Sequence, residues 1–161
     1  MKSNIKKLKH DIKSIFSRVY TSIDLLKDYN LDEDYNQILE ILENSSQRLE
    51  LIYKIFMFYL FKDTPLKKEK VNIAYFFNVK ESFYVNFDKY FIKIFVETIN
   101  ALNKEGFITA KVEGNNFLLE GKFNQKDEID RLFVKFLYDV SKMIHVKLEI
   151  SESKIKLIKE K

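Results

Sequence analysis

Two long stretches of helical period, joined by the polar break "DYNLDED", constrain this chain more than any other feature. Residues 4–29 place apolar groups at Ile5, Leu8, Ile12, Ile15, Val19, Ile23 and Leu26, at spacings of three and four. That spacing marks a helix with one buried seam. The break is rich in Asp and Asn, which favour turns and helix N-caps. A second seam follows through Tyr35, Ile38, Leu42, Ser45, Leu49, Ile52, Phe56 and Tyr59. Two such helices with a short link predict an antiparallel hairpin. A lone hairpin buries both seams poorly, so pairing with a second copy into a dimeric four-helix bundle is expected.

The end of the second helix, "YKIFMFYLF", is apolar nearly all round and must touch more than a bundle, which points to the rest of the chain. The only proline sits in "KDTPLKKEK" at 62–70, read as a linker between a helical part, 1–63, and a second part, 71–161. Beyond the linker the period changes. "ESFYVNF" alternates like a strand, and "FITAKVE" and "NFLLEGKF", split by Gly114-Asn115, read as a hairpin. "VKLEI" and "KIKLI" around "SES" read as another, and helices are expected over 88–104 and 126–144. The order β-α-β-β-α-β-β predicts one sheet with both helices on one face, a small α/β sandwich, so that the whole chain is of the α+β class.

The totals exclude several kinds of chemistry. At 161 residues with 46% apolar content the chain builds one domain or a small domain with a helical appendage. Without cysteine there is no disulfide, thiolate metal site or cysteine nucleophile, and a reducing compartment fits. The N-terminus "MKSNIKKLKHD" carries no secretory signal, and the run "LIYKIFMFYLF" is too short to span a bilayer. The expectation is a soluble, cytoplasmic protein that engages no membrane. The net charge of +4, from 28 basic and 24 acidic residues mixed along the chain, reads as solvated surface rather than a nucleic-acid footprint.

One of the two histidines lies in the first helix. With Ile5 at heptad position a, His10 falls at f, facing away from partner helices. An exposed histidine is commonly just a solvated residue. Here Asp11 follows at once, and an acid beside an imidazole holds one ring N–H and leaves the other nitrogen nucleophilic. Free imidazole, with a pKa of about 6.5, is mostly neutral at pH 7 and attacks without a special base. Ser14, Ser17 and Thr21 continue the same face, a low strip where another protein can dock.

These residues carry a resemblance. "HDIKSIFSRVYTSIDLL" resembles the phospho-acceptor helix of bacterial sensor histidine kinases. His10, Asp11, Ile12, Lys13, Ser14, Leu25 and Leu26 fall on that helix's acceptor, acid, aliphatic, polar, hydroxyl and double-leucine positions. The family usually has proline after the hydroxyl residue, where this chain has Ile15. "FVETINALNKEGFITAKVE" resembles the family's asparagine-rich helix, with Asn100-Ala101 in place but Val96 where a partner asparagine belongs. No Asp-x-Gly-x-Gly occurs, and the chain has only Gly106, Gly114 and Gly121. Backbone wraps phosphates closely only with such glycines, so ATP binding is not expected.

A kinase-like hairpin joined to a degenerate ATPase-like domain is similar to the dimeric bacterial histidine phosphotransferases, the ChpT-like group in particular. The tail "NFLLEGKFN…FLYDVSKMIHVKLEISESKIKLI" fits that group's last helix and hairpin. The resemblance implies a homodimer that relays a phosphoryl group between receiver-domain aspartates through a phosphohistidine at His10. Response-regulator receiver domains would be its partners, with a hybrid histidine kinase as a further candidate. Asp11 would orient the imidazole, and Lys9 and Lys13 would soften the phosphate charge. Lys13, Ser14, Ser17, Arg18 and Thr21 would form the docking surface. The protein would hold no cofactor or metal of its own, the Mg²⁺ sitting on the receiver. His145, at the entrance to "VKLEI", reads as structural. Two other classes stay open: a non-catalytic binder that inhibits a sensor kinase or response regulator, and a basic nucleic-acid or scaffold protein.

Overall fold

A computed structural model describes residues 2–29, 33–104, 106–123, 125 and 127–160; within its helices the side chains of 2–9, 11 and 34 lie outside the description. The chain forms two compact units, Met1–Tyr53 and Lys54–Lys161.

The first unit is the expected helical hairpin. Helix α1 spans Lys2–Lys27 and α2 spans Glu33–Phe61, its last two turns belonging to the second unit. The helices run antiparallel, as three cross-links at stepped positions show. The rings of Phe16 and Tyr53 lie 6.3 Å apart, Tyr20 Oη donates to Glu50 Oε2 at 2.9 Å, and Lys27 Nζ pairs with Glu43 Oε2 at 2.5 Å. The line of α2 that turns inward is thus Leu39, Glu43, Ser46, Glu50 and Tyr53, of which Leu39 and Ser46 are buried.

This line differs from the apolar seam read in the sequence. Ile23 is buried and Ile12 and Val19 are half-buried, but Ile15 and Leu26 are 57% and 42% exposed. On α2, Tyr35, Ile38, Leu42, Ser45, Leu49 and Phe56 are all exposed. The reason is that the hairpin closes on a mixed line of polar clamps and small groups, leaving the apolar seam alongside it open. Ile5 and Leu8 lie outside the described side chains.

In the second unit, residues 54–61 of α2 supply an aromatic anchor. Phe58 is fully buried and meets Phe91 and Phe136 edge-to-face, each at 5.1 Å. Such pairings add to the area effect of burying a large ring. Tyr59 Oη donates to Asp139 Oδ2 at 2.7 Å, and Lys54 pairs with Glu97 at 2.9 Å. The all-round apolar end of α2 therefore folds as part of the second unit.

Strand β1 (Glu69–Asn72) pairs antiparallel with β2 (Tyr84–Phe87), across a 3₁₀ turn at Ala74–Phe77. Helix α3 (Lys89–Leu102) starts at Asp88, whose side chain accepts from Tyr90 N and Phe91 N and so satisfies two orphan donors. Strands β3 (Thr109–Glu113) and β4 (Asn116–Glu120) form a hairpin. Helix α4 (Glu128–Met143) is capped by Asp127, and β5 (Val146–Ile150) and β6 (Lys154–Lys159) close the chain. The single sheet expected from the sequence is in fact two. β1 and β2 stand apart from an antiparallel sheet of order β3-β4-β6-β5. Strand β1 also begins inside the stretch read as linker, where its lone buried residue, Val71, gives no alternation to read.

The larger sheet has one apolar face. Its register aligns Leu148, Leu157, Phe117 and Val112 across the four strands, and Ile150, Ile155, Leu119 and Ala110 beside them. The opposite face carries the ion pairs Lys111–Glu113, Lys147–Glu149 and Lys154–Glu120. The Glu113↔Asn116 pair leaves a two-residue turn with Gly114 at φ +59°, the II′-type arrangement that glycine suits. Gly121 is needed for a different reason. A Cβ there would sit 2.8 Å from Asn103 Oδ1, the atom that accepts from Lys122 N.

Candidate functional site on the first helix

His10 is exposed, near the start of α1. At about 100° per residue, His10, Ser14, Ser17 and Thr21 fall within about 60° of arc, and Phe16 and Ile23, which face α2, lie about 120–140° away. The outward position expected from the heptad is thus the position occupied. Ser17 and Thr21 are exposed and Ser14 half-buried. Lys13 and Arg18, both exposed, flank the strip on opposite sides.

The strip is low as well as outward. On it Thr21 Oγ1 donates to Ser17 O at 2.9 Å. This hydroxyl folds back on the helix, leaving the Thr21 methyl to meet an incoming surface. The side chains of Asp11 and Lys9 lie outside the described residues, so their roles stay with the sequence. Among the described residues no group of three or more His, Asp or Glu side chains is placed to hold a metal ion. No helix there is long and apolar enough to cross a membrane.

What sequence reasoning missed is the clamp beneath the strip. Tyr20 and Glu50, with Lys27 and Glu43, fix the register of α1 against α2 and hence the height at which His10 stands. Burial pushes the Tyr20 hydroxyl up to about 12, helped by its hydrogen bond to Glu50 and by the charges of Glu50 and Glu43. Its signal was present, as polar residues two turns apart on each helix, Tyr20 and Lys27 facing Glu50 and Glu43, but the apolar periodicity overrode it.

At the positions that the resemblance marks in the second unit, the residues have these places. Val96 is buried in the core, while Asn100, four residues on, is exposed. An apolar buried side chain offers no donor to a metal–phosphate group. Gly114 serves a hairpin turn and Gly121 a close approach to Asn103. His145 takes φ +55° between α4 and β5, where its N–H bonds Lys142 O, a geometric duty at the end of a helix.

No family model and no curated protein matches this sequence. Among solved structures the chain is similar to the cytoplasmic segment of the histidine kinase QseC, with a TM-score of 0.50 at 6% identity, over 75% of this chain and 94% of that one. On that likeness the fold is that of a histidine-kinase cytoplasmic segment: a helical hairpin followed by a mixed α+β unit. The chain also aligns with the Acinetobacter baumannii histidine kinase AdeS at 13% identity and a TM-score of 0.43, over 93% and 97% of the two chains.

Proposed function

We propose that the protein is a histidine phosphotransferase, a non-kinase relay that accepts a phosphoryl group on His10 from a receiver-domain aspartate and passes it to a second receiver. The observation that carries this reading is the exposed His10 at the head of a low helical strip, in a fold otherwise seen in a kinase segment. Lys13 and Arg18 on either side of the strip suit the acidic site of a receiver.

The step is a displacement at phosphorus. A ring nitrogen of His10 forms a P–N bond as the P–O bond to the donor aspartate breaks, and the carboxylate leaves on the receiver. Phosphoryl transfer has a loose transition state, so alignment and charge neutralisation do most of the catalysis. The receiver's Mg²⁺ neutralises the phosphoryl oxygens. Asp11 orients the ring in this reading. The reverse sequence of bonds delivers the group to the second receiver.

Homodimerisation belongs to the same reading. It is supported by the open apolar seam of the first unit, where Ile15, Ile38, Ile41 and Leu49 are each 57–66% exposed. A surface of this kind is the signature of an uncovered contact. The lack of kinase activity is supported by Val96 and by the structural duties of Gly114 and Gly121. Incubation with a phosphorylated receiver tests the assignment, comparing wild type with His10→Ala. Transfer of label to wild type alone supports it. Equal labelling of both proteins rejects it, and absence of transfer with tight receiver binding favours the non-catalytic inhibitor instead.

A further inference from the structure

A groove of about 370 Å³ runs beside β1, far in sequence from His10. All four residues of β1 line it, with Tyr75 and Phe76 of the 3₁₀ turn and Lys89 and Lys93 of α3. Successive strand residues point to opposite faces, so a groove that touches all four lies along the strand's edge. That edge is open. Ile73 N donates to Phe83 O at 2.9 Å, and the antiparallel alternation then makes Val71/Val85 and Glu69/Phe87 the hydrogen-bonded pairs. Lys70 and Asn72 accordingly turn their main-chain N–H and C=O groups away from β2, and no other main chain among the described residues takes them.

The charge around this edge has one dominant sign. Lys70, Lys89 and Lys93 meet it, against Glu69 alone. Lys89 and Lys93 stand one helical turn apart on α3 and form no ion pair among the described residues. Lys70 Nζ lies 4.3 Å from the centre of the Tyr84 ring. At one end Tyr75, 74% exposed, stands edge-on to Phe76 at 6.1 Å and offers an apolar platform.

We infer that this edge is a docking site for an extended acidic segment of a partner protein, which adds to β1 as a third strand. An open strand edge beside a helix is the geometry by which peptides extend a sheet: main-chain bonds give affinity, and flanking pockets select side chains. Here the lysines select glutamate or aspartate, and Tyr75 with Phe76 takes an apolar residue. The edge, about 13 Å long, accommodates four residues. A second copy of this chain does not fit, because pairing β1 with itself would set Lys70 and its neighbours against their own like charges.

The inference is independent of phosphoryl transfer and is tested with a fluorescein-labelled octapeptide of alternating glutamate and valine, read by anisotropy against the whole chain. Two control peptides replace every glutamate by lysine, or carry N-methylated valines that cannot donate from the main chain. The acidic peptide should bind about tenfold or more tightly than either control. Lys89→Glu with Lys93→Glu should weaken it by a similar factor. Lys70→Pro removes an outward N–H that β2 does not use, so it should abolish binding with the melting temperature held, whereas Lys70→Thr should keep most of it. No binding at millimolar peptide would overturn the inference. So would equal affinity for the N-methylated peptide, full binding by Lys70→Pro, or displacement by inorganic phosphate at the peptide's own concentration, which would make the groove a small-anion site.

Discussion

Tyr20 on α1 reaches across the helical hairpin to Glu50 on α2, its hydroxyl 2.9 Å from the carboxylate. This bond and the Phe16–Tyr53 ring contact one turn away hold the two helices in register. Tyr20→Phe should cost about 1 kcal/mol, the usual net value of such a bond, read as a lower denaturation midpoint. The bond also sets an alkaline limit. The Tyr20 hydroxyl titrates at about 12 rather than 10, so the folded state favours its neutral form. That stability is fully present below pH 10 and is lost as pH rises from 10 towards 12. Tyr59 is shifted in the same direction, by burial and by its bond to Asp139. Unfolding followed from pH 9 to 12 should steepen above 10, and less so in Tyr20→Phe.

Phe58→Ala should be far more damaging. It empties a fully buried site between Phe91 and Phe136, and aromatic truncations of this kind cost about 3–5 kcal/mol. Chemical denaturation should show this loss, and a change under about 1 kcal/mol would mean the pocket collapses around the gap.

His10→Gln should leave stability within about 0.5 kcal/mol, since the position is exposed, yet accept nothing from a phosphorylated receiver. His145→Asn keeps a residue at ease with positive φ and should accept normally. The label on wild type should be acid-labile and base-stable, as a phosphoramidate is. Labelling of His10→Gln at the wild-type rate would remove the acceptor assignment.

Ile38→Glu with Leu42→Glu puts two charges on the open seam of α2, where both residues are exposed in the single chain. Sedimentation should find wild type dimeric at micromolar concentration and this variant monomeric with its helices intact. A compact wild-type monomer would refute the bundle.

Mg²⁺-ATP should leave the melting temperature unchanged. A ligand present at about 100 times its dissociation constant would stabilise by about 2.7 kcal/mol, an effect large enough to see. A clear upward shift would return kinase activity to consideration despite the burial of Val96.

Much of the architecture was legible because local rules and global fold agree. Helices expected over 88–104 and 126–144 occur at Lys89–Leu102 and Glu128–Met143, each started by an aspartate cap. Gly114-Asn115 marks its hairpin. The outward placement of His10 followed from periodicity alone. What was not legible has two causes. Strand β1 is four residues long with one buried side chain, set among lysines beside a proline, so nothing in it alternates. The seams of α1 and α2 were legible as faces, but periodicity says which residues share a face and not what covers it. The hairpin chose the neighbouring line of Ser46, Glu50 and Tyr53, where polar clamps decide the register.

The ion pairs on the outer face of the larger sheet also govern how molecules of this protein meet one another. Its terminal strands are β3 and β5, and each carries a lysine and a glutamate two residues apart, Lys111 with Glu113 and Lys147 with Glu149. A strand from a neighbouring molecule approaching either one must strip water from a paired charge before gaining a single main-chain bond. At β1 three lysines outweigh Glu69, so the edge repels basic chains and admits acidic ones. Crowding should therefore leave the larger sheet inert. Concentrated solutions should likewise show no self-association through β1, because a second copy brings its own lysines against Lys70, Lys89 and Lys93.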